Sequence, residues 1–150
     1  MTGCYNRRFF EESIGHELQR RRRYGTPLSL VFADVDHFKT INDLYGHDAG
    51  DRVLKFVAQF LTRHVREADF VVRWGGDEFL LVMTCTGAEA AAKVAVLKES
   101  FADNLAAESL PRNLRLSLGY AEIPPDATDV LPLIREADLS MYADKPADRA

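Results

Sequence analysis

Residues 69–84 read Asp69-Phe70-Val71-Val72-Arg73-Trp74-Gly75-Gly76-Asp77-Glu78-Phe79-Leu80-Leu81-Val82-Met83-Thr84. Two apolar runs flank a tetrapeptide with paired glycines, which is the pattern of an antiparallel hairpin. Strands are therefore expected over 69–74 and 79–84. The turn places two acids, Asp77 and Glu78, directly behind glycines that remove side chains where a phosphate or ribose has to approach. Taken alone, a Gly-Gly-Asp-Glu turn is more often only a turn, so its meaning rests on its surroundings.

Upstream of the hairpin, Leu28 to Val35 reads as a buried strand that runs into Asp34-Val35-Asp36. Before it, Phe10, Ile14 and Leu18 recur at helical spacing from Tyr5 to Arg23, and Gly25 and Pro27 stop that helix. Its end, Arg20-Arg21-Arg22-Arg23, is read as cations favoured at a helix C-terminus and as a solvated face. After the strand come a short helix through Phe38 and Ile41 to Gly46, and a long one whose face carries Val53, Val57, Phe60 and His64. Downstream of the hairpin the spacing predicts a helix over 87–107, a strand over 114–123 broken by Pro124-Pro125, and a helix over about 130–145. No repeat, low-complexity segment or internal linker interrupts the chain. Mixed helices and strands in this order imply one sheet with helices packed on it.

The 150 residues are enough for one domain, 1–150, and too few for two. With 47% hydrophobic residues, the chain can fill a core without disulfides or a structural metal. Nineteen Lys and Arg against 23 Asp and Glu give a net charge of -4, so no basic field exists to hold a nucleic-acid polymer. Cys4 and Cys85 lie in different expected elements without metal-ligand spacing, which fits a reducing cytoplasm. No apolar run approaches a bilayer span, and the first eight residues lack a secretory core, so a soluble chain without membrane contact is expected.

Period-two geometry points Asp34 and Asp36 to the same face of their strand. Asp36 is read as the N-cap of a helix beginning at His37. Asp34, aligned with Leu28, Leu30 and Phe32, is a carboxylate on a buried face and needs a partner. A hard divalent cation is one such partner, and Asp77 and Glu78 offer further oxygen ligands for Mg²⁺.

Arg73-Trp74-Gly75-Gly76-Asp77-Glu78-Phe79 resembles the signature loop of the GGDEF family, the diguanylate cyclases. Asn6-Arg7-Arg8, Asp34-Val35-Asp36-His37-Phe38-Lys39, Ile41-Asn42-Asp43, Tyr45-Gly46-His47, Gly50-Asp51, Ser117-Leu118-Gly119 and Ala137-Asp138 through Tyr142 to Lys145 are similar to the family's other blocks, in the family's order. The similarity extends from about Thr2 to Arg149. It implies an α+β, sandwich-like architecture: a mostly antiparallel five-stranded sheet flanked by helices, of the palm-like nucleotidyl-cyclase type. It further implies condensation of two GTP into cyclic di-GMP with release of pyrophosphate, across a homodimer. The alternative is a weak or inactive GGDEF module that binds GTP or cyclic di-GMP as a receptor. The acid and leucine expected before Thr2-Gly3 are missing, so the chain is expected to be a piece excised from a longer regulated protein.

By the same resemblance, Asp34, the Val35 carbonyl, Asp77 and Glu78 hold two Mg²⁺ or Mn²⁺ ions per GTP site, with Asp77 and Glu78 catalytic. The backbone amides of His37 and Phe38, with Lys39, match the loop that cradles the terminal phosphates, as anion binding at a helix start would require. Gly75 and Gly76 admit the nucleotide. Asn42 and Asp51 match the guanine contacts, and one carboxylate can accept guanine's paired N1–H and N2–H₂ donors, which adenine lacks. Lys145 and Arg149 match phosphate contacts, although Pro146-Ala147-Asp148 stands where the family has a glycine before the arginine. Arg66 and Asp69 match an RxxD site at which product binds and inhibits, a guanidinium fork beside an acid.

Overall fold

In a computed structural model, residues 4–111 and 113–146 are described. The elements in chain order are α1 (Arg7–Tyr24), β1 (Ser29–Val35), α2 (Phe38–Tyr45), α3 (His47–Arg63), β2 (Phe70–Arg73), β3 (Glu78–Met83), α4 (Gly87–Leu105), β4 (Leu116–Glu122) and α5 (Leu131–Ala143). The strands form one antiparallel sheet in the order β2-β3-β1-β4. Both faces of this sheet are covered. Val31, Ala33, Phe79, Leu81 and Leu118 meet α3 and α4 on one side. Leu30, Phe32, Leu80, Val82 and Ala121 meet α1 and α5 on the other. Burial on both faces explains why β1 and β3 read as continuous apolar runs without polar alternation.

The expected fifth strand is not formed among the described residues, which give four. Beyond the free edge of β2, among the described residues only Tyr5 pairs, as a parallel bridge to Val72. Its N–H donates to the Val71 carbonyl at 2.9 Å and its carbonyl accepts from Arg73 N–H at 2.8 Å. Pairing stops there because the next residue, Asn6, already caps α1: its side chain accepts from Phe9 N–H at 2.9 Å. The opposite edge is also closed. The outward N–H groups of Leu118 and Tyr120 donate to Asp144 Oδ2 at 3.0 Å and to Ser140 Oγ at 3.2 Å, so side chains at the end of α5 occupy positions that another strand would use.

The helix ends follow the sequence signals. Gly25 ends α1 at φ 69°, a left-handed position suited to glycine. Thr86 and Glu89 form a reciprocal capping box at the start of α4. The arginine run is not simply solvated, however. Arg21, whose side chain is only 11% exposed, donates to the Ile123 carbonyl at 3.1 Å and pairs with Glu122 at 3.2 Å, while Arg22 donates to the Ala127 carbonyl at 2.8 Å. Two of the four arginines thus fasten α1 to the far end of β4 and the loop after it. Among the described residues, no helix is long and apolar enough to cross a membrane.

Candidate active site

The register of the sheet brings the acids together. Asp34, near the end of β1, sits directly opposite Glu78, the first residue of β3, and Val35 N–H donates to the Asp77 carbonyl at 3.1 Å. The hairpin loop before β3 is held by its own backbone and by Arg73. Trp74 and Gly75 N–H both donate to the Glu78 carbonyl, at 2.8 and 3.2 Å. Arg73 reaches forward to the carbonyls of Gly75 and Gly76, at 3.4 and 2.6 Å. A side chain at Gly75 would meet the Glu78 carboxylate, which leans back over that glycine, whereas Gly76 faces open space.

Asp34 is the most perturbed acid here. Burial pushes its carboxyl up to about 6; the Lys145 ammonium opposes the shift and the neighbouring Asp77 carboxylate adds to it. Lys145 Nζ donates to Asp34 Oδ2 at 2.6 Å, which leaves Oδ1 buried without a hydrogen-bond partner. An orphaned carboxylate oxygen beside a second carboxylate costs free energy unless a cation joins them. Asp34, Asp77 and adjoining main-chain oxygens therefore fit Mg²⁺ or Mn²⁺, which are commonly held by one or two carboxylates together with substrate phosphates. Glu78 stands at the rim: burial, then Asp77 and Asp138, raise its carboxyl, while Arg7 and Lys145 work against the shift. Among the described residues, no three acid, histidine or cysteine side chains converge as a ready-made metal cage.

Asp36 does not cap a helix. α2 begins one residue later than expected, with His37 as its N-cap in the left-handed region at φ 56° and without a side-chain cap bond. Asp36 instead turns inward and is 4% exposed. Its carboxylate accepts from Ser117 Oγ at 2.7 Å, Arg115 Nη1 at 2.9 Å and Lys145 Nζ at 3.0 Å. Arg115 also donates to the Asp144 carbonyl at 3.1 Å, and Asp144 forms an ion pair with Lys98. This network ties α4, β4 and the end of α5 to β1. Sequence reasoning missed Arg115, Ser117 and Asp144. The Ser117 block was visible, but partners some 80 positions apart in the chain leave no signal in local spacing.

The remaining candidates fall into two groups. His37, Phe38 and Lys39 open α2 beside the Asp34 end of β1, where the first N–H groups of the helix have no side-chain cap. Asn42, on α2, lays its amide over Gly50, where a Cβ would collide with it, and the exposed Asp51 follows on α3. Lys145 lies in the carboxylate cluster, its ammonium lowered by burial but raised more by its bonds to Asp34 and Asp36. Arg149 lies outside the described residues.

Arg66 and Asp69 form a separate turn ahead of β2. Asp69, with its side chain fully buried, accepts from Arg66 N–H at 3.0 Å, Thr84 N–H at 2.9 Å and Thr84 Oγ1 at 3.1 Å. Arg66 stays 66% exposed and donates to the Thr84 carbonyl at 2.7 Å. The acid organises the turn and the guanidinium faces solvent.

The chain has counterparts among known proteins in both sequence and fold. Residues 1–150 match the family described as "Diguanylate cyclase, GGDEF domain". The chain is 36% identical over 150 residues to the probable diguanylate cyclase DgcC of Escherichia coli K12, covering 99% of this chain and 40% of that protein. It is 33% identical, over 99% of its length, to the cyclic di-GMP phosphodiesterase NbdA of Pseudomonas aeruginosa, of which it covers 19%. It thus spans well under half of either relative. Among solved structures, the GGDEF domain of DgcB from Caulobacter crescentus, in complex with c-di-GMP, aligns with a TM-score of 0.86 at 27% identity, over 99% of this chain and 89% of that one. With the family match running the whole length of the chain, this protein belongs to the GGDEF domain family of diguanylate cyclases.

Proposed function

We propose that the chain condenses two GTP into cyclic di-GMP and pyrophosphate, each protomer of a homodimer presenting one nucleotide. The observation that carries this reading is the buried, unpartnered Oδ1 of Asp34 beside Asp77, at the strand end where Glu78 and the opening of α2 also lie. Asp34, the Val35 carbonyl, Asp77 and Glu78 would hold two Mg²⁺ or Mn²⁺ ions, which when bound acidify the attacking 3′-hydroxyl and neutralise the phosphates. Within each chain, the uncapped N–H groups at the start of α2, with Lys39, bind the terminal phosphates and hold them in line. Lys145, which bridges Asp34 and Asp36, supplies a cation for the phosphates, with Arg149 as a second. Gly75 and Gly76 leave room for the ribose and α-phosphate. Asp51 and Asn42 select guanine, and Asp51→Ser is expected to erode discrimination against ATP.

Incubation with GTP and Mg²⁺ followed by product identification tests this reading. Cyclic di-GMP from the wild type and none from Asp77→Ala supports it. Binding without product would favour the receptor alternative. Arg66 and Asp69 are proposed to bind the product and restrain turnover, with Arg66 as the contacting residue and Asp69 as the acid that shapes the turn. Arg66→Ala is expected to raise the cyclic di-GMP concentration at which turnover stops, with little change in initial rate. Strictly competitive inhibition against GTP would instead place the product in the active site.

A further inference from the structure

Arg7 is the first residue of α1, whose first turn contains no acid. A cation at this end of a helix opposes the macrodipole, and the next residue, Arg8, is a second one. A residue placed against local preference calls for a compensating role elsewhere in the fold. Arg7 Nε donates to the Trp74 carbonyl at 3.0 Å, across 67 positions of chain, and its guanidinium lies 4.0 Å above the centre of the Trp74 ring. Phe10, one turn further along α1, packs edge-on against the same ring at 5.2 Å. Just before Arg7, Tyr5 is bridged to the edge of β2 and stacks on Phe9 at 3.9 Å. The start of α1 is thus fixed to the strand that leads into the loop, and Arg7 grips the loop's first residue.

We propose that Arg7 is a positioning residue for the signature loop: by stacking on Trp74 and bonding its carbonyl, it sets where Gly75, Gly76, Asp77 and Glu78 stand relative to Asp34. Arg73 holds the loop from one side through the carbonyls of Gly75 and Gly76, and Arg7 holds it from the other through Trp74. Displacing the segment before α1 would therefore move the loop acids without touching the nucleotide. The kinetic consequence rests on the cyclase reading above, whereas the clamp itself does not.

Trp74 is the chain's single tryptophan, so tryptophan emission reports on this one ring and its surroundings. Arg7→Gln removes the planar cation and keeps a good helix former, and Arg7→Lys keeps the charge without the fork or stack. Arg7→Gln is expected to raise acrylamide quenching of Trp74 about two-fold and to lower kcat for GTP about ten-fold or more, with KM within about two-fold and the urea midpoint no lower than wild type. Arg7→Lys should recover part of kcat and none of the shielding. Unchanged quenching in Arg7→Gln overturns the proposal, as does a loss confined to KM, which would make Arg7 a substrate contact. If the wild type makes no cyclic di-GMP, the cyclase reading fails by itself and the quenching comparison still decides the clamp.

Discussion

Asp34, in β1, and Asp36, just past its end, both accept from Lys145, yet their surroundings assign them different work. Asp36 has donors on both oxygens and almost no exposure; it holds elements together. Removing it would take one acceptor each from Ser117, Arg115 and Lys145, while Lys145 keeps Asp34 and Arg115 keeps the Asp144 carbonyl, so Asp36→Ala is expected to cost about 1–3 kcal/mol in urea unfolding. Asp34 keeps an unsatisfied oxygen and a raised pKa, the mark of a charge the fold tolerates at a cost in stability. Asp34→Asn should therefore abolish turnover, by at least about a hundred-fold, while leaving the melting temperature at neutral pH unchanged or higher. Adding Mg²⁺ should raise the melting temperature of the wild type and not that of Asp34→Asn; an equal rise in both would place the metal elsewhere. The pairing of Asp34 with the loop acids was legible in the sequence, because a strand end and a hairpin turn are both visible there. The role of Asp36 was not: a helix start is visible in spacing, but the left-handed turn at His37 that sends Asp36 inward is not.

At the scale of elements, α5 reaches the site because Gly119 lets it lie close on β4. A Cβ at position 119 would run into the backbone of Ala137, Ser140 and Met141, so no side-chain rotation relieves the clash. Gly119→Ala is expected to cost about 1–3 kcal/mol and to lower turnover further by carrying Lys145 away from Asp34, as joint measurement of unfolding and kcat would reveal. The capping box of α4 gives a pH dependence with a definite sign. Glu89 is held below its ordinary value of 4.5 by the Thr86 backbone N–H and then by the Thr86 side chain. Its contribution is thus fully present above about pH 4.5 and lost as pH falls through the lower folded value. The stability gap between the wild type and Glu89→Gln should stay constant near neutrality and close in acid; a gap that widened in acid would contradict the cap. Helices and four strands were readable because apolar spacing and caps are local. The fifth strand was expected from family likeness alone, and the described residues form four.

For the whole molecule, the decisive constraint is stoichiometric. In the cyclase reading, one site built from Asp34, Asp77 and the opening of α2 would hold one GTP, whereas the proposed product joins two through reciprocal 3′-hydroxyl attacks. Each chain would then supply both an electrophile and a nucleophile to its partner, which requires two sites face to face in antiparallel order. If protomers associate weakly, the active dimer scales with the square of protein concentration. Doubling the enzyme should then quadruple the initial rate, until dimers dominate and the dependence becomes linear. Each chain carries a net charge of -4, so two copies repel at low ionic strength, and moderate salt should move the crossover to lower protein concentration by screening. Measuring initial rates across a dilution series at two salt concentrations, with sedimentation on the same samples, tests both steps. A rate linear in enzyme down to concentrations where only monomer sediments would show that a single chain completes the reaction. The site would then have to hold both nucleotides, which the Asp34–Asp77 pair and one uncapped helix start do not provide for.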